Sequence, residues 1–160
     1  MSLEEGLRAY FGEGERRVVL VGVGNPIRGD DAVGPRVIEL LEAKPLEAVL
    51  LLNTESVPEA FTGKVEEFKP THVLMIDAAN FKGVPGETKL ISGAQIGGQA
   101  ISTHNLPLNI FISYIEKSLG VSVLLLGIQP LSIGLGEPMS EPVEASAVSV
   151  VDALYKILSE

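Results

Sequence analysis

Four short runs, residues 18–24, 48–53, 72–77 and 121–127, are apolar through their centres and end in Gly, Asn or Asp. A strand with one wet face alternates apolar and polar residues; a strand covered on both faces does not. These runs therefore read as strands of a sheet covered on both faces. A fifth run, 88–92, does alternate and reads as an edge strand, with its direction left open.

Helical spacing fills the intervals. Val33, Val37, Ile38 and Leu41 share one face, as do Leu108, Phe111, Ile112, Ile115 and Leu119 across 105–119. Val148, Val151, Leu154, Tyr155 and Leu158 do the same across 141–158. A weaker pattern over 58–68 contains Gly63, and Leu3, Leu7 and Tyr10 mark a further helix over 2–11. Strand and helix in alternation predict an α/β fold, with a mostly parallel sheet and helices on both faces. The three layers are expected to form a single domain over residues 1–160, without a linker or a repeat. The Gly-rich stretch 93–98 reads as a loop or a tight crossing.

With 160 residues, such a domain buries about two-thirds of its unfolded surface and needs no disulfide or structural metal. Cysteine is absent, which removes disulfides, thiolate metal sites and a thiol nucleophile from consideration. Twelve basic against 21 acidic residues give a net charge of −9, unsuited to nucleic acid or to an anionic membrane surface. The longest apolar run, 18–23, falls far short of a membrane span, and the start of the chain is acidic rather than signal-like. The expectation is a soluble, cytoplasmic protein.

In an open parallel sheet, ligands bind outside the carboxyl ends of the strands, and three sequence features fall there. The first is the loop Val21-Gly22-Val23-Gly24-Asn25-Pro26-Ile27-Arg28-Gly29-Asp30-Asp31-Ala32-Val33-Gly34. It lacks the third glycine of a dinucleotide fingerprint and the Gly-Lys-Ser/Thr of a phosphate loop. It does hold two adjacent carboxylates. One could cap the following helix, which would leave the other free. The second is Asp77, read as the last residue of its strand, either a turn former or a site residue. The third is His104 in Ser102-Thr103-His104-Asn105, at a helix start that disfavours its charged form. His104 is a neutral ligand or base there, or merely a polar helix-start residue. Asp31 (or Asp30), Asp77 and His104 together make an O/N donor set that suits zinc, nickel, iron or manganese, or an acid/base site without metal. His72 opens its strand at the opposite edge and receives no role.

The pattern Gly22-x-Gly24-Asn25, Asp30-Asp31-x-x-Gly34, an Asp-ended third strand and Ser102-Thr103-His104 resembles the hydrogenase maturation endopeptidases. Asn53-Thr54-Glu55-Ser56-Val57-Pro58-Glu59, His104-Asn105-Leu106-Pro107-Leu108, Gly127-Ile128-Gln129-Pro130 and Met139-Ser140-Glu141-Pro142-Val143 resemble the hydrogenase 3, formate-hydrogenlyase-type branch. The resemblance covers nearly the whole chain. It implies a twisted five-stranded sheet and removal of a C-terminal extension from the large-subunit precursor of a nickel–iron hydrogenase after nickel insertion. It also implies that Asp31, Asp77 and His104 are the metal ligands and catalytic groups. Asn25, Asp30 and Thr103 are then expected to meet substrate. The nickel would be carried mainly by the precursor and serve as a checkpoint. The family often has Gly after the acidic pair, where this chain has Ala32, so the turn is expected to be helical already at residue 32.

Two rival readings stand beside this one. A non-enzymatic chaperone of the same fold would check nickel and leave cleavage to another protein. The absence of a nucleophile elbow or a His-Glu-x-x-His helix favours it. An α/β binder using loop 22–34 for an anion is disfavoured by the carboxylates. Residues 82–86, 93–101 and 128–131 are candidates for gripping an extended tail, and a monomer is expected.

Overall fold

The computed structural model describes residues 1–96, 101–105 and 108–160. In chain order the elements are α1 (Leu3–Phe11), β1 (Val18–Val23), α2 (Val33–Glu42), β2 (Val49–Glu55), α3 (Thr62–Phe68), β3 (His72–Asn80), β4 (Thr88–Ser92), β5 (Ser102–Thr103), α4 (Leu108–Leu119), β6 (Val123–Ile128) and α5 (Glu141–Leu158). The sheet order is β2-β1-β3-β6-β4. β2, β1, β3 and β6 are mutually parallel, and β4 closes the edge antiparallel to β6. This is the α/β architecture expected, with the edge strand's direction now fixed.

Both faces are covered at the centre of the sheet, which explains the unbroken apolar runs of β1, β3 and β6; β2 has the same composition but lies at the edge and is only partly buried. Val18 and Leu20 of β1 pack with Leu7, Val37, Ile38 and Leu154 of α1, α2 and α5. Val19, Val21 and Val23 face the other way, toward Val65 of α3 and Phe111, Ile112 and Ile115 of α4, as the twofold side-chain period of a strand requires. His72, at the amino end of β3, sits beside the rings of Tyr10 and Phe11. Burial lowers its pKa, consistent with a packing role. No helix among the described residues is long and apolar enough to cross a membrane.

Several local expectations need correction. β3 continues three residues past Asp77, because Ala78 still pairs with Ile128 of β6 and Ala79 and Asn80 pair with β5. Asp77 therefore lies within the strand, not at its end. β5 itself was not foreseen; two residues are too short to show a period. The 58–68 pattern divides into a 3-10 turn, Pro58–Phe61, followed by α3. α4 starts at Leu108; residues 106 and 107 of the expected helix, and 97–100 of the Gly-rich and tail-gripping segments, lie outside the described residues.

Two glycines set the geometry that matters for function. Gly34, in the first turn of α2, sits so close to the sheet that a Cβ there would strike the backbone oxygens of Val23 and Ile76. Gly24 has φ 146°, and a Cβ on it would strike the carbonyl of Asp31. Only glycine allows this approach, and it brings the start of α2 against the carboxyl ends of β1 and β3.

Candidate active site

Asp30 and Asp31 occupy a 3-10 turn, Gly29–Ala32, that leads directly into α2. Ala32 is already helical, with φ −77° and ψ −4°, as expected from the missing glycine. Neither aspartate caps a helix: no side-chain cap bond forms at the start of the 3-10 turn or of α2. Their carboxylates instead face different partners.

Asp30 is fully buried and takes hydrogen bonds from the loop between β6 and α5. The donors are the N–H groups of Leu131 (2.8 Å), Ser132 (3.2 Å) and Ser140 (2.7 Å), and the Ser140 hydroxyl at 2.8 and 3.0 Å. Both oxygens are occupied, so the geometry ties Asp30 to the fold rather than to the substrate contact expected of it. This staple holds the loop 131–140 against the β1–α2 turn.

Asp31 and Asp77 come together, both completely buried. Asp31 Oδ2 accepts the N–H of Asn25 (2.8 Å). Asp31 Oδ1 accepts from Asn105 Nδ2 (2.9 Å), and the same nitrogen donates to Asp77 Oδ1 (3.0 Å) and Oδ2 (3.3 Å). One amide thus bridges two carboxylates. Burial, and secondarily the charge of Asp31, push the Asp77 carboxyl well above the usual range, against the opposing pull of Asn105 and the Ala78 N–H.

Asn105, whose amide bridges the two carboxylates, was not among the site residues read from the sequence. Its signal was its place beside His104 in the Ser-Thr-His-Asn run. Thr103, buried, donates its hydroxyl to the Asn105 carbonyl (3.1 Å) and so fixes the residue that does the bridging. Asn25 is half-buried, and its Oδ1 accepts the Ile27 N–H (3.1 Å). Asn105→Ala should destabilise the protein by about 1–3 kcal/mol, the usual cost of leaving buried polar groups unsatisfied. Thermal denaturation measures this, and an unchanged Tm would deny the bridge its role.

His104 does not join the pair in this structure. It is exposed and lines a neighbouring cleft of about 440 Å³ with Asn80, Ser102, Gln129, Leu131 and Ser132. The cleft is floored by the end of β3 and opens at the carboxyl edge of the sheet. A larger cleft of about 530 Å³ lies at the opposite end, near Pro45–Val49 and Tyr155–Glu160, and contains none of the candidate residues. Among the described residues no group of three or more His, Asp or Glu is disposed to hold a metal ion; the expected three-ligand set is not preassembled. The two carboxylates fit a cation nonetheless. They are buried, alike in charge and adjacent, and a divalent ion would relieve both the burial and the repulsion.

A family profile described as HycI, hydrogenase maturation protease, matches residues 35–157. A putative hydrogenase maturation protease of Methanocaldococcus jannaschii is 37% identical over 153 residues, 91% of this chain and 90% of the relative. The hydrogenase 3 maturation protease of Escherichia coli K12 is 34% identical over 137 residues, 85% of this chain and 87% of that one. Among solved structures, the NiFe hydrogenase maturation protease HycI of Thermococcus kodakarensis superposes with a TM-score of 0.88 at 39% identity, covering 97% of this chain and 99% of that chain.

Proposed function

The chain belongs to the hydrogenase maturation protease family, and from that premise we propose that it removes the C-terminal extension of a nickel–iron hydrogenase large-subunit precursor after nickel insertion, acting as a monomer in the cytoplasm. The buried Asp31–Asp77 pair carries this reading. Two carboxylates share one amide at the carboxyl edge of the sheet, beside a cleft able to take an extended segment.

In this reading nickel enters as cargo of the precursor. Asp31 and Asp77 offer carboxylate oxygens to it, and His104, on the wall of the adjoining cleft, offers an imidazole nitrogen. A cation so placed polarises the scissile carbonyl or lowers the pKa of a water. Hydrolysis adds that water across the peptide bond: oxygen goes to the carbonyl carbon and a proton to the leaving amine. Asn25 and Thr103 shape the approach to the carboxylates. Without nickel the precursor lacks the charge that the pair attracts, so docking is unproductive.

The test is cleavage of purified precursor, with and without inserted nickel, by this protein alone, read as loss of the tail by intact mass. Cleavage is expected only with nickel, and His104→Ala should slow it by about 100-fold or more, as for loss of a metal ligand or acid/base group. Failure of the wild-type protein to cut a verified nickel-loaded cognate precursor would refute the endopeptidase reading. Full activity of His104→Ala would remove that residue from the site.

A further inference from the structure

The chain has five arginines, and four are bound within the protein. Arg8 forms a two-pronged pair with Glu160, and Arg36 binds Glu144 and Glu39. Arg16 donates to the carbonyls of Gly12 and Ile157, and Arg17 to that of Phe68. Arg28 differs. Among the described residues its guanidinium makes no salt bridge, and its Nε is buried without a hydrogen-bond partner. A buried donor left unmet is unfavourable, and native structures rarely keep one without a reason.

The position of Arg28 is well defined. Its N–H donates to the Asn25 carbonyl (3.1 Å), and its carbonyl accepts from Asp31 (3.0 Å). The following residues are tied across to the β6–α5 loop, Gly29 N–H to the Glu137 carbonyl (3.2 Å) and Asp30 N–H to that of Ser132 (2.9 Å). The side chain thus projects from a fixed turn three residues before Asp31, and it remains partly exposed. The same edge of the sheet carries exposed apolar residues. Ile27, Val57, Val84, Leu131 and Leu135 are large, apolar and exposed, and each lies in a segment leaving the carboxyl end of a strand. Exposed apolar groups gathered on one side of a molecule mark a surface that a partner covers.

We propose that Arg28 anchors the precursor by binding a carboxylate of its C-terminal region, and so selects which peptide bond lies at Asp31 and Asp77. This rests on the endopeptidase reading. A guanidinium is weakly hydrated and its planar donors match a carboxylate, unlike the point charge of lysine. In a chain of net charge −9, with the buried carboxylates of Asp30, Asp31 and Asp77 close by, an acidic group on the partner is repelled at most points of this edge. An unpaired cation held on a fixed turn at this edge gives that group one place to sit, which sets register as well as affinity.

The experiment is steady-state cleavage of nickel-loaded precursor by the wild-type protein, Arg28→Lys and Arg28→Gln, at low and high salt. Arg28→Gln should raise KM by about 10-fold, as expected for an interfacial arginine anchor, with a much smaller change in kcat. Arg28→Lys should fall between. KM of the wild type should rise with salt, and that of Arg28→Gln should not. One Asp or Glu substitution in the C-terminal region of the precursor should reproduce the loss with wild-type enzyme and add nothing with Arg28→Gln. An unchanged KM for Arg28→Gln overturns the proposal, as does a large fall in its Tm, which would make Arg28 a fold residue. If the wild type itself fails to cleave, it is the endopeptidase reading that fails.

Discussion

Asp77→Asn should abolish tail removal and at the same time make the protein harder to unfold. Asp77 is wholly buried beside Asp31, and burial, then the Asp31 charge, raises its pKa. The folded protein therefore holds a proton on Asp77 to higher pH than the unfolded chain, whose aspartates titrate near about 3.9. Through that window the folded state binds more protons, so stability falls as pH rises, and above it the full cost of the ionised pair is present. Asparagine keeps an oxygen for the Asn105 amide and removes the charge. A gain of about 1 kcal/mol or more at pH 8 is expected, roughly 2–4 °C in Tm for a domain of this size, with little difference near pH 4. Cleavage should drop by at least about 100-fold. Denaturation at the two pH values and the intact-mass assay measure both sides. A variant that is less stable at pH 8, or that cuts at close to the wild-type rate, would contradict this account of the pair.

Asp30→Ala should have the opposite effect on stability, though Asp30 looked like its neighbour Asp31 in the sequence. Asp30 receives three backbone N–H groups and one hydroxyl from the loop 131–140. Removing it strands those donors and releases the cleft wall carrying Leu131 and Ser132. The expected loss is about 3–5 kcal/mol, on the order of 10 °C in Tm, with new proteolytic cuts within 131–140. Loss of cleavage with an unchanged Tm would instead return Asp30 to the substrate contact first expected of it.

The contrast between those residues shows what could be read from the chain alone. Strands β1 and β6, the edge strand β4 and helix α5 were visible because each depends on its own residues: an unbroken apolar run, an alternation, a stripe. Asp31 and Asp77 could be placed at one sheet edge for the same reason, since parallel strands put their carboxyl ends together. The employment of Asp30 was not visible, because its donors lie 101 to 110 residues further on, in a loop without period. Asn105 was hidden likewise: its partners are 74 and 28 residues away, and nothing in its neighbours announces them. The run of β3 beyond Asp77 depends on pairing with β5 and β6, which a strand's own composition does not announce. His104 was identified by type and neighbourhood, but its exposure is a property of the assembled surface.

The seat of α2 against the sheet at Gly34 has a further consequence. No side chain stands between the helix and the ends of β1 and β3 there, so the gap between Asp31 and Asp77 is governed by main chain resting on main chain. Side-chain packing yields gradually as rotamers become mobile, but such a contact has no soft spring in it. The spacing of the two carboxylates should then hold while the core breathes, and be lost only when the helix lifts away as a whole.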